Sequence, residues 1–113
     1  MSIHPARYDD ELQRRARYDL ELTFEDDSGE AMNLTGWTVA SQIWDITRTT
    51  KYLDFTVTYT NVVNGQVKLS ITSAQTTSLT VDKCYYDVLL TDPSGNKDYY
   101  LQGTLYVSEG YTS

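Results

Sequence analysis

The sequence predicts an all-β domain, a sandwich of two antiparallel sheets. Three observations carry the prediction. The 113 residues include ten Tyr and sixteen Thr against two Pro, a composition that favours pleated, half-buried surfaces. From Arg17 onward, apolar residues recur at every second position, the period of a strand with one buried face. Turn signals divide these runs at a spacing of roughly ten residues, which suits a sandwich and not βαβ units, whose helices carry their own period.

The elements follow in order. Residues 1–16 read as an N-terminal arm and residues 17–113 as the sandwich. In the arm, "DDELQRRAR" places acidic residues ahead of Arg, which suits a short helix. Its apolar content is thin, Leu12 and Ala16. The arm therefore has no face to bury on its own body and is read as helical or extended, ordered by docking on a partner. In "RYDLELTFE", Tyr18, Leu20, Leu22 and Phe24 share one face. "DDSGE" and "NLTG" are bends. In "WTVASQIWDI" both faces carry an aromatic, and Trp37, Val39 and Ile43 are read as inward. "LDFTVTYT" reads as one clean strand, with Leu53, Phe55, Val57 and Tyr59 on one face. Asn64-Gly65 marks a hairpin before "QVKLSIT". The Ser and Thr residues of "SAQTTSLTVD" can cap one helical turn, with Leu79 as a core plug. "CYYDVLLTD" follows, then the "DPSGN" turn. "DYYLQGTLYVSE" closes the domain, with Tyr99, Leu101, Gly103, Leu105 and Val107 on one face. Gly103 inside a strand implies a bulge or a close neighbour. The total is six strands, or seven if residues 26–36 contribute one.

Composition excludes several kinds of chemistry. A single cysteine, Cys84, allows no internal disulfide and no cysteine-pair zinc site. The single histidine, His4, sits near the N-terminus, far from any candidate triad. The net charge of −7 is the wrong sign for a nucleic-acid footprint. It is unevenly spread. Up to Arg17 four Arg oppose Asp9, Asp10 and Glu11, for +1, so the remainder carries −8. No run of about 20 apolar residues spans a membrane. The start lacks the basic and apolar regions of a signal peptide, so synthesis in a cytoplasm is expected.

The order of signals resembles the immunoglobulin-like N-terminal domain of the phage baseplate upper protein family. "RYDLELTFEDDSGE", "NLTGWTVASQIW", "NGQVKLSIT" with "AQT", "YYDVLLTD" and "GNKDYYLQGTLYV" carry the resemblance, which covers Arg17 to about Tyr111. It implies an immunoglobulin-like antiparallel β-sandwich of about seven strands with a short N-terminal extension. It also implies a virion structural protein of a phage tail, baseplate or fibre-attachment region, made in the host cytoplasm. Its partners would be other virion proteins and further copies of itself, with no nucleic acid, membrane or cofactor.

Candidate site residues are weighed against that frame. Cys84 lacks a cation or histidine to lower its pKa and reads as a buried space-filler. Tyr85 or Tyr86, with Tyr86 favoured, stands just after the "SLTVDK" corner, where a sandwich tyrosine bonds back to that corner. Trp44, Tyr85 and Tyr100 are candidates for an exposed aromatic contact patch. Arg7, Arg14, Arg15 and Arg17 are candidates for pairing with acidic surface on a neighbour. "EDDSGE" lacks the ligand spacing of a calcium loop. Asp45, Asp54 and Asp87 are the carboxylates a glycoside hydrolase would need, but no nucleophile–base pair accompanies them. The chain is not expected to be an enzyme. A carbohydrate-binding module for host surface glycans is the alternative, with Trp44 beside Gln42, or Tyr100 beside Gln102, as the platform.

Overall fold

The alternating runs become strands whose apolar faces meet between two sheets. The computed structural model describes residues 6–26 and 28–109. In chain order the strands are β1 (Ala6–Arg7), β2 (Asp10–Gln13), β3 (Tyr18–Thr23), β4 (Thr38–Trp44), β5 (Lys51–Asp54), β6 (Thr56–Asn61), β7 (Gln66–Ile71), β8 (Lys83–Thr91) and β9 (Lys97–Ser108). One short helix, α1 (Ser73–Thr77), links β7 to β8. The larger sheet runs β1-β9-β8-β4-β5, with β2 also on β9; the smaller runs β3-β7-β6. Strands β1 and β2 lie parallel to β9, and the other pairings are antiparallel. The chain is an immunoglobulin-like all-β sandwich.

The core lies where the two sheets' inward residues meet. Val39 and Ile43 of β4, Tyr86, Val88 and Leu90 of β8, and Leu101 and Leu105 of β9 are buried against Leu20, Val67, Leu69 and Ile71 of the smaller sheet. Helix α1 begins with a capping box, in which Thr72 and Gln75 satisfy each other's backbone N–H groups. Leu79 behind it is buried, as its place after the helical turn implies. The "DPSGN" turn also forms as read. Asp92 accepts from the N–H groups of Ser94 and Asn96, and Gly95 supplies a φ of 93°.

Four expectations are corrected. "LDFTVTYT" is two strands: β5 belongs to the larger sheet and β6 to the smaller. The chain changes sheets at Phe55, whose N–H donates to the Ser41 carbonyl at 2.9 Å. Its buried ring lies 6.3 Å from Tyr18 and 6.4 Å from Tyr86, anchoring the crossing between layers. The conditional seventh strand is missing: among the described residues of 26–36 there is only an isolated bridge, from Ala31 to Glu25.

The N-terminal arm is the third correction. Its described part is not a separate docking segment but an extended edge strand of the larger sheet. Asp10 to Gln13 pair in register with Leu105 to Ser108, and Leu12 is 2% exposed in the core. One inward leucine and a ladder along β9 suffice to order an edge, which is why thin apolar content misled the reading. Between β1 and β2 the Asp9 carboxylate replaces a backbone acceptor, taking the Thr104 N–H at 2.8 Å. The fourth correction concerns Tyr86. Its hydroxyl donates to the Tyr8 carbonyl at 2.5 Å, so it locks the first strand and not the corner before β8.

Candidate functional site

The alternate residues of β4, β8 and β9 that point away from the core build the outer face of the larger sheet. Alternation along β8 turns Cys84, Tyr86, Val88 and Leu90 inward and leaves Tyr85, Asp87 and Leu89 outward and half-buried. Alternation along β4 does the same for Gln42 and Trp44. Strand β9 would place Tyr100 beside them, but a register shift intervenes. Val88 pairs with Leu101 and Leu89 with Tyr99, so Tyr100 is the extra residue of a β-bulge.

The bulge reverses the two tyrosines. Tyr99 faces out and is 50% exposed. Tyr100 turns to the rim of the core, its ring edge-on to Phe24 at 4.6 Å. Its hydroxyl accepts the Glu25 N–H at 3.1 Å. Tyr100 thus leaves the outer face on which the sequence reading placed it, and Tyr99 stands there instead.

The loop joining β4 to β5, "DITRTT", supplies the missing wall. Asp45 organises it. Its carboxylate accepts from the N–H groups of Thr49 and Thr50 and from the hydroxyls of Thr47 and Thr49, at 2.6–3.0 Å. These bonds hold the Asp45 carboxyl well below the usual range, the Thr47 hydroxyl contributing most. The Arg48 N–H donates to the Asp45 carbonyl at 2.9 Å, and Arg48 takes a φ of 60°, a left-handed conformation rare outside glycine. The turn aims the guanidinium over the Tyr85 ring, 4.7 Å from its centroid.

The result is a shallow groove of about 210 Å³ whose walls include Trp44, Arg48, Tyr85, Asp87, Leu89 and Tyr99. Tyr85 is fixed by donating to Gln102 Oε1 at 2.9 Å, and Trp44 by donating to Gln42 Oε1 at 3.1 Å. Asp87 is different. Among the described residues no group donates a hydrogen bond to its carboxylate. Burial pushes its pKa up, and Arg48 opposes that shift without cancelling it.

The other sequence candidates lie elsewhere. Arg14 binds both oxygens of Glu109 at 2.7 Å and the Thr77 carbonyl at 2.9 Å, tying the end of β9 to α1. Arg15 reaches the same Glu109 at 3.0 Å. These two cations hold the Glu109 carboxyl below its ordinary value, Arg14 first. Arg7 pairs with Asp9 at 3.2 Å and donates to Thr104, and Arg17 pairs with Asp19 at 3.0 Å. Each of these four arginines thus has a carboxylate within its own chain. Cys84 is sealed in the core and its thiol is pushed up to about 12 by burial. In the acidic hairpin Asp26 accepts from the N–H groups of Ser28 and Glu30; Asp27 and His4 lie outside the described residues. Asp54 pairs with Lys51 at 3.1 Å.

The structure therefore brings Trp44 and Tyr85 together, as the sequence reading hoped. It adds Arg48, Leu89 and Tyr99, which that reading missed. Asp followed by three Thr within five residues was the available signal for a carboxylate-nucleated loop. The bulge at Tyr100 left no signal in the alternation.

Neither a scan of protein-family models nor a search of curated proteins finds a match. Solved structures do match. CopC from Methylosinus trichosporium OB3b aligns with a TM-score of 0.54 at 12% identity, over 92% of this chain and 87% of that one. The Lin-41 filamin domain aligns at 0.48 and 16% identity, over 88% and 84%. Murine CRIg aligns at 0.43 and 13% identity, over 95% and 94%. At such identities the likeness concerns the fold alone.

Proposed function

We propose that this chain is a structural protein of a phage virion, belonging to the tail, baseplate or fibre-attachment region and acting by protein–protein assembly in several copies. The setting comes from the sequence resemblance. The observation that carries the mode of action is the aromatic outer face of the larger sheet. There Trp44, Tyr85 and Tyr99 stand with Tyr106, which is 48% exposed at the far end of β9. Rigid aromatic side chains lose little entropy on contact and serve well as anchors. Arg14 and Arg15 tie the turn after β2 to Glu109, just beyond β9. A scaffold and not an enzyme fits best: the thiol is buried, and Asp45 and Asp54 are engaged in local bonds.

Mass spectrometry of purified particles tests the reading, and absence of the protein from mature virions would overturn it. The paired substitution Tyr99→Ala with Tyr106→Ala tests the face. Incorporation into particles should fall while circular dichroism and thermal unfolding stay unchanged; undiminished incorporation would move the contact elsewhere.

A further inference from the structure

The groove on the outer face holds more than anchors. Two of its charged side chains are uncommitted among the described residues. Asp87 presents a half-buried carboxylate that no neighbour satisfies, and Arg48 stacks on Tyr85 with no carboxylate within ion-pair distance among the described residues. Asp87 is half-buried and Arg48 exposed, so both stay open to an incoming ligand. The left-handed Arg48 is held by the Asp45 network, so its orientation is fixed before anything binds. Strain maintained by a dedicated network is characteristic of ligand-binding positions.

Charge narrows the occupant. A free cation entering the groove meets Arg48, and a free anion meets Asp87. A wholly apolar ligand would cover Asp87 without a donor. The groups are jointly satisfied by a neutral molecule with adjacent hydroxyls, one donating to Asp87 and another accepting from Arg48. Its remaining surface must be apolar and flat enough to lie on Trp44 and Tyr99. The groove's volume of about 210 Å³ is below that of sites for drug-sized ligands and admits one small ring. We propose that this groove binds a single pyranose unit of a neutral saccharide, with Asp87 and Arg48 as the hydroxyl-reading pair and Trp44 and Tyr99 as the stacking walls.

This inference is independent of the assembly reading, because saccharide binding requires no particle. The test uses the purified full chain and a panel of methyl pyranosides and N-acetylhexosamines, followed by nuclear magnetic resonance. At least one sugar should shift the Trp44 indole N–H in a saturable way. Asp87→Asn and Arg48→Ala should each weaken that binding about tenfold or more, as expected for hydrogen bonds to charged groups. Thermal unfolding reports whether either variant is still folded, and Asp87→Asn keeps the shape of the side chain. The proposal is overturned if no sugar in the panel shifts the indole, or if the shifts survive both substitutions in folded protein. A protein partner that protects the groove in a particle, with no sugar response, also overturns it. Loss of sugar binding without loss of particle incorporation, or the reverse, tells the failure of one reading from that of the other.

Discussion

Gly103 sits in the middle of β9, where a side chain would normally help packing. A Cβ there would overlap the carbonyl of Tyr8 and crowd the Tyr86 ring. The glycine thus lets the first strand pass close enough for the Tyr86 hydroxyl to hold it. Gly103→Ala should cost about 3 kcal/mol, the range of overpacked interiors, and Tyr86→Phe about 1 kcal/mol, one hydrogen bond. Urea unfolding measures both. Equal small losses would mean that the strand is not held at this crossing. Cys84 gives a second residue-scale test. With its thiol buried and pushed up to about 12, thiolate reagents should label it only at the rate of global unfolding. Rapid labelling of folded protein would contradict its burial. Both residues were legible in the sequence: a glycine interrupting a strand, and a lone cysteine with no activating neighbour. Which backbone Gly103 accommodates was not legible, because it comes from a segment almost a hundred positions away.

At the scale of elements the first strand is the part that sequence reasoning misplaced. Residues 7–16 carry one buried apolar side chain, Leu12, so hydrophobic periodicity had nothing to count. What holds this stretch is the β9 ladder, the buried Leu12, and contacts such as the Tyr18 hydroxyl on Asp10 at 2.6 Å. The sequence reading implied that the body would stand without this segment. The structure implies the opposite. Deleting residues 1–13 should lower the unfolding free energy by about 3–5 kcal/mol, the cost of removing a buried leucine and its surroundings. It should also leave β9 as a bare edge prone to self-association. Chemical denaturation and light scattering of the truncated chain measure the two effects; an equally stable monomer would show that the strand is an accessory. Other elements were readable because their chemistry is local. The capping box of α1 and the Asp92 turn lie within five residues of their own partners. The sheet change at Phe55 and the bulge at Tyr100 preserve or break alternation for tertiary reasons, so no local pattern announces them. The candidate groove inherits that limit. Its Trp44 and Tyr85 were visible as outward aromatics, whereas Tyr99 entered it through the bulge and Arg48 through a hairpin turn.

The molecule as a whole should be bounded by alkali through its core tyrosines. Tyr18 and Tyr86 are both raised far above the ordinary phenol value, in each case first by burial; Asp10 adds to the shift of Tyr18, and Tyr8 to that of Tyr86. Tyr85 moves the same way, again first through burial. For a group whose folded pKa is raised, the folded state holds its proton more tightly than the unfolded state. Stability is fully present below the unfolded pKa of about 10, and it is lost as pH rises towards the folded values. Because the two tyrosines flank Phe55, one from each sheet, ionising either places a charge where the layers meet. The chain should therefore unfold cooperatively above about pH 10. The buried pair Tyr18 and Tyr86 should ionise within that transition. Phenolate absorbance and near-ultraviolet circular dichroism, followed through the same titration, show whether the two events coincide. If all the phenols ionise along one smooth curve while the dichroism of the folded core persists, Tyr18 and Tyr86 are not sealed between the sheets. If instead the later phenols appear only as the dichroism collapses, the junction around Phe55 is what alkali breaks.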